Sequence, residues 1–412
     1  MNKGVFSPIK MKKKHIHIIS ENYPFGKGEQ FFEKEIFELS KYFDRIYLFP
    51  LASEGEMRAI PINVEVKLSL ANANRKIATK TRLKNIFLLL TVFYFEFFYQ
   101  AKKKIALKKI RSSVSSFLQA KILSEVFMEN VNSSYDNYFY SFWMNDGALM
   151  FSILKYQNKI SNFLFRVNGY DLFDERFEGG YIPFRYFNFR NAKKIVILSE
   201  EGLNYLKRKN IFPEKLVLNY YGIYDNGMNP FDPSALFTIV SCSNMIPLKR
   251  VDKIIRTLML ISFPVNWIHF GDGELMEQMK ELAKDLPQNI KYSFKGSVNN
   301  DIVIDTYKNK SVNMFIHLSN TEGLGLAIIE AQSFGIPAIA TAVGGVVNVV
   351  NEETGILVAL DTPLHKIASK INEFMKGEFN SPAHRLIIKQ NWKCNFDAVT
   401  NYEKLAKIII SK

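Results

Sequence analysis

The 412-residue sequence predicts an α/β fold of two doubly wound parallel-sheet domains. Three observations carry this. Short apolar runs alternate with amphipathic stretches at helical spacing, which is the grammar of strand–helix–strand units. The series halts at a turn-rich stretch and then restarts. The length suits two or three domains of roughly 150 residues each.

The first series opens on "MKKKHIHIIS", a charged lead-in to a buried strand. A glycine loop follows, then "EQFFEKEIFELSKYF", whose Phe32, Ile36, Leu39 and Phe43 share one helical face. "RIYLFPL", "YFYSFW", "NFLFRV", "KIVILS" and "KLVLNYYG" continue the strands. "GIYDNGMNPFDPSA" has linker chemistry. After it come "LFTIVSCS", "VNWIHFGDG", "IKYSFKG", "NMFIHLS", "PAIATA" and "GILVAL". The expected domains are 1–225 and 236–390 with a linker at 226–235. The tail 391–412 is expected to form one helix, packing through Phe396, Val399, Leu405 and Ile409 and crossing back to the N-terminal domain.

Composition narrows the function. The chain is 47% hydrophobic and 23% charged, with a net charge of +14, which favours an anionic partner. Two cysteines, Cys242 and Cys394, are too few for a disulfide framework, so a reducing cytoplasm is expected. The basic N-terminus lacks an apolar core long enough for a signal peptide. No run of about 18 apolar residues announces a membrane span. Between Arg75 and Ser112 eleven Lys/Arg face a single acid, Glu96, and flank the apolar "NIFLLLTVFYFEFFYQ". Two readings stand side by side: a core helix with a solvated basic face, or an element lying on an anionic membrane surface. No nucleic-acid module accompanies the charge, so nucleic acid is not an expected partner.

Several loops have anion-binding chemistry. Gly26 and Gly28 in "ENYPFGKGEQF" precede the first helix, and Gly271, Asp272 and Gly273 in "HFGDGE" precede another. Glycines there let backbone N–H groups approach a ligand where the helix dipole favours negative charge. A plain tight turn is the competing reading of the first. "CSNMIPLKRVDKII" sets Lys249 and Arg250 after a strand, as a phosphate-neutralising pair or a surface one. "NTEGLGLAIIEAQSFGIPAIATAVGG" places Glu322 in a loop and Glu330 in the following helix, with Gly323, Leu324 and Gly325 between. Eight residues span up to roughly 12 Å of helix. Two carboxylates flanking open backbone at that distance suit hydroxyls at both ends of a diphosphate, the layout of a nucleotide-sugar.

The stretch "EGLGLAIIEAQSFGIPAIAT" resembles the donor-site motif of glycosyltransferase family 4, retaining enzymes of the GT-B fold, in which two Rossmann-like domains face across a cleft. "YPFGKGEQFFEKEIFELSKYF" and "FRVNGYDLFDERFEGGYIPFR" are similar to signatures of its bacterial capsule, O-antigen and exopolysaccharide subgroup. The resemblance implies that Glu322 contacts the donor sugar, Glu330 the ribose, and Lys249 the leaving diphosphate. It makes Arg166, Tyr170 and Asp171 candidates for the acceptor side. Two positions depart from the family pattern: Asn244 stands where an arginine is common, with Arg250 as the substitute, and Asn168 stands where a histidine is usual. Asparagine hydrogen-bonds but carries no proton at neutral pH. The implied activity is transfer of a hexose or similar sugar from a UDP- or GDP-sugar to a glycan, expected to be lipid-linked, by a protein at the inner face of the cell membrane. No cofactor and no metal is expected, since neither histidine spacing nor a D-x-D pair is present. The alternatives are a non-catalytic nucleotide-sugar-binding subunit, suggested by Asn168 and Asn244, and a nucleotide-sugar epimerase of the same fold.

Overall fold

The computed structural model describes residues 12–26, 28–74, 90–92, 94, 96, 107–177 and 180–411. Contacts divide the chain into two compact units, Met1–Ile197 with Leu206–Val217 and Tyr402–Lys412, and Leu198–Tyr205 with Leu218–Asn401.

The first unit is built on a seven-stranded sheet: β1 (Lys14–Ser20), β2 (Arg45–Pro50), β3 (Val64–Val66), β4 (Asp136–Ser141), β5 (Phe163–Val167), β6 (Lys194–Ile197) and β7 (Leu216–Leu218), in the order β3-β2-β1-β4-β5-β6-β7. β1 is an interior strand, parallel to β2 on one side and β4 on the other. It is buried nearly throughout because both faces are covered, as in parallel sheets, and its two histidines and Ser20 are buried with the three isoleucines. His17 is fully buried there, stacked between Tyr47 and Phe139 of the neighbouring strands. Burial lowers its pKa to about 4, so it is a neutral core residue.

The second unit repeats the plan with β8 (Phe237–Cys242), β9 (Val265–Phe270), β10 (Ile290–Phe294), β11 (Met314–His317), β12 (Ala338–Thr341) and β13 (Gly355–Val358), ordered β10-β9-β8-β11-β12-β13. Every pair is parallel. Ile239, Trp267, Met314 and Ile339 form its core with the helix Val251–Leu258. The alternating apolar runs therefore form two parallel-sheet α/β units, as the sequence predicts.

The structure departs from expectation in places. The 226–235 stretch is not a free linker: Asn229 is buried and bonds the carbonyls of Tyr307 and Lys310. The tail is two helices, Pro382–Phe396 and Ala398–Ile410, interrupted at Asp397, whose carboxylate takes the N–H and hydroxyl of Thr400. Asp competes with helix propagation by such local bonding. Phe396, Leu405 and Ile409 are buried as expected, but Val399 is 46% exposed. Most of the basic aromatic segment at 75–112 lies outside the described residues, among which no helix is long and apolar enough to cross a membrane.

Arg166, expected on the acceptor side, is a core residue instead. Its Nη2 donates to Glu35 at 2.8 Å, both side chains are 0% exposed, and the Tyr140 hydroxyl donates to the second Glu35 oxygen at 2.7 Å. The cause is strand alternation: β5 aims this position at the helix Gln30–Leu39. Removing one partner strands the other charge in the interior. Arg166→Met is expected to cost about 3–5 kcal/mol in urea denaturation, and Arg166→Met with Glu35→Leu to recover most of it.

Candidate active site

In the second sheet the chain runs outward from β8 through β9 to β10, and outward on the other side from β11 through β12 to β13. The loops that follow β8 and β11 therefore part at the carboxyl end of the sheet, where open α/β sheets bind ligands. Those two loops carry Lys249 and Glu322. Asn320 N–H bonds Leu248 O at 2.8 Å and ties them together.

The Lys249 ammonium forms an ion pair with Glu322 Oε1. The same oxygen lies 2.7 Å from His317 Nε2 at the end of β11, and Ser319 Oγ is 2.9 Å from that nitrogen. Burial pushes the Glu322 carboxyl up, but the hydrogen bond and charge of His317 and then the Lys249 charge outweigh it, and its pKa falls to about 2. Glu322 is thus a fixed anion, suited to accepting hydroxyl hydrogens and unsuited to proton transfer at neutral pH.

The backbone after Glu322 turns into the helix Leu326–Ser333 through Gly325 in the left-handed region (φ 86°). The main-chain N–H groups of Gly323, Leu324 and Gly325 have no hydrogen-bond partner among the described residues. The loop after β12 presses against this turn: Gly345 N–H bonds Gly323 O, and a Cβ at Gly344 would stand 1.8 Å from Glu322 O. Close backbone contact thus explains Gly344 and Gly345, and the left-handed backbone explains Gly325. Glu330 is buried on the helix and takes a bond from Asn300 Nδ2 at 2.8 Å. Cys242, at the end of β8, feels the charges of both Glu330 and Lys249.

Other expected residues are placed differently. Gly271 N–H is spent on Gly296 O, and Cβ atoms at Gly271 and Gly273 would strike the carbonyls of Ser243 and Met245. These glycines let two loops touch, and Asp272 accepts from Gly273 N–H. Arg250 is clamped by both oxygens of Asp252, so its charge is matched locally and does not replace one at the exposed Asn244.

In the first unit the loop after β1 already holds an anion, its own. Glu29 accepts the N–H groups of Glu21, Asn22 and Tyr23 and the Trp143 indole N–H. Gly26 N–H goes to Glu56 O, and Gly28 O accepts from Arg58. The anion-facing reading of Gly26 is thus corrected. Asn168 is buried at the end of β5, and its N–H donates to Asp171, which also accepts Met144 N–H. Burial, against those bonds, raises the Asp171 pKa to about 6. Tyr170 belongs to the short helix Gly169–Leu172.

Residues 232–392 match the family model of glycosyl transferases group 1. The match takes in the sheet of the second unit and leaves the sheet of the first outside it. Among curated relatives, the chain is 25% identical over 176 residues to a GDP-mannose-dependent monoacylated alpha-(1-6)-phosphatidylinositol monomannoside mannosyltransferase of Corynebacterium glutamicum, 40% of this chain and 44% of that protein. It is 26% identical over 169 residues to a trehalose synthase of Pyrococcus horikoshii, 41% of this chain and 38% of the relative. The chain spans less than half the length of the curated relatives it matches. Solved structures extend the likeness to the whole fold. The Anabaena protein Alr3699/HepE, solved with UDP and glucose, superposes with a TM-score of 0.64 at 18% identity, covering 96% of this chain and 98% of that one. The lipopolysaccharide outer core galactosyltransferase WaaB superposes at 0.67 and 15% identity, covering 96% and 99%. The chain shares its two-sheet fold with these structures.

His317, Ser319 and Asn300, which hold the two glutamates, escaped the sequence reading. A histidine ending a strand five residues before Glu322 was the available signal. Because Glu322 is stabilised as an anion in the folded state, its contribution is complete above the unfolded carboxylate range and is lost as pH falls from about 4.5 toward 2. Between pH 5 and pH 3 the wild type is expected to lose about 2 kcal/mol more stability than Glu322→Gln, read from urea midpoints.

Proposed function

We propose that the protein is a retaining glycosyltransferase that moves a hexose from a UDP- or GDP-sugar to a lipid-linked glycan in bacterial surface polysaccharide synthesis, at the inner face of the cell membrane. The observation that carries the reading is the pairing of an ionised Glu322 with Lys249 beside three N–H groups at a helix N-terminus that have no partner among the described residues. A diphosphate is the ligand that such donors and such a cation bind together. The donor sugar's hydroxyls then fall to Glu322 and the ribose to Glu330. The basic, aromatic sequence at 75–112 supports an anionic membrane surface and an acceptor presented there. The names of the relatives support the class of reaction.

The chemistry follows from charge. The bond between the anomeric carbon and the phosphate oxygen breaks, and its electron pair leaves on the diphosphate, stabilised by Lys249 and the N–H groups of Gly323, Leu324 and Gly325. The acceptor oxygen bonds to the same face of that carbon, and its proton passes to the departing phosphate oxygen. Asn168, buried and without an ionisable group, serves only as a hydrogen-bonding residue in this scheme. No resident metal or cofactor is invoked.

A thermal-shift panel with UDP, GDP, ADP and NAD tests the reading. UDP or GDP is expected to stabilise the fold by about 2.7 kcal/mol at a hundredfold excess over its dissociation constant. Glu330→Ala should abolish the shift. A shift with NAD, or with none of the four, overturns the proposal.

A further inference from the structure

The first unit has its own switch point. Its strands run outward from β1 in one direction and from β4 in the other, so the loops after Ser20 and Ser141 part. Between them lies a cavity of about 530 Å³. Its lining differs in charge from the chain as a whole. Glu21, Glu29, Asp146 and Asp171 contribute four carboxyl groups, and no lysine, arginine or histidine lines it among the described residues. Trp143, Phe177 and Phe184 contribute ring surface.

The hydrogen-bond inventory shows what is left for a ligand. Glu29 and Asp171 are consumed by main-chain N–H groups, as described above. Glu21 uses one oxygen for Asn145 Nδ2 at 2.7 Å, and Asp146 uses one for the Ser116 hydroxyl. The second oxygen of each has no partner among the described residues. Asn188 is independent evidence of a ligand site. It lines the cavity at 2% exposure, its Oδ1 takes the Ser152 hydroxyl at 2.8 Å, and its amide Nδ2 has no partner among the described residues. The amide of a residue that lines the cavity can donate to an acceptor oxygen of a ligand there.

We infer that this cavity receives one sugar unit of the acceptor, and that the unit is uncharged or amine-bearing, units with a carboxylate or phosphate being excluded. The word acceptor rests on the transferase reading above. Two open carboxylate oxygens and one amide N–H match a ring that offers hydroxyl or ammonium hydrogens and one acceptor oxygen. The aromatic rings cover its apolar C–H face. An added anion would meet like charge in a partly desolvated space, and such repulsion gives specificity. The crowding is already felt: burial first, then Glu29 and Asp146, push the Glu21 carboxyl up against the bond from Asn145.

Trp143 is the partly exposed one of the three tryptophans; Trp267 and Trp392 are fully buried. Its fluorescence can therefore report occupancy of the full-length chain at pH 7. The probes are methyl glucosaminide, methyl glucoside, methyl glucuronide and glucose 6-phosphate. The glucosaminide and glucoside are expected to quench, the former at least tenfold more tightly than the glucuronide, with no response to the phosphate. Asp146→Asn and Glu21→Gln should each cut the amine-to-carboxylate preference several-fold and leave the UDP-induced thermal shift intact. Equal binding of the glucuronide or the phosphate overturns the inference, as does quenching by none of the four, or a preference that neither variant changes. The UDP shift separates the two claims: its loss with the sugar preference intact removes the transferase reading and leaves the cavity, and the reverse removes the cavity alone.

Discussion

The constraint on which everything else depends is the order of the strands. In each sheet two adjacent parallel strands, β1 and β4 in one unit and β8 and β11 in the other, send their connections in opposite directions. Helices cannot cover the gap that results, so four loops are left to face it. Lys249 and Glu322 stand on one pair of loops, and Glu29, Trp143 and Asn145 on the other. The chemistry of this chain is placed by topology before any side chain is considered.

The two openings share a plan and differ in charge. In the second unit Gly344 and Gly345 press against the backbone of the turn after Glu322, and that turn presents a row of N–H groups with no carbonyl partner among the described residues. Lys249 adds a cation beside it. In the first unit the corresponding N–H groups close on Glu29, which fills the place of an anionic ligand from within. What remains there is a ring of carboxyls, aromatics and one unsatisfied amide. One opening suits a diphosphate; the other suits polyols and amines. A nucleotide-sugar and a glycan are the substrates we propose for the two openings.

Much of this was legible in the sequence. The strand runs were readable because strands covered on both faces are short and rich in Ile, Val and Phe, as "HIHIIS" and "LFTIVSCS" are, although His and Ser are buried in them as well. Glu322 and Glu330 were legible because their spacing about a glycine turn is local. What the sequence hid was long-range. His317 reads as an ordinary strand residue until folding sets its ring against Glu322. Arg166 reads as a cleft cation until Glu35, 131 residues away, is seen to neutralise it. Gly26 and Gly271 offer the same signal as Gly323, yet their N–H groups find carbonyl partners elsewhere in the chain. Spacing shows where a backbone can be exposed; only the fold shows which exposed groups stay unpaired.

The central claim, that a nucleotide diphosphate sits on the turn after Glu322, is tested most directly by amide hydrogen exchange with and without UDP. Amides 323–327 have no partners among the described residues and should exchange fast in the free protein, then slow at least tenfold when UDP is bound, with Lys249→Ala weakening the effect. Unchanged exchange at 323–327, with UDP protecting another segment, would contradict the account.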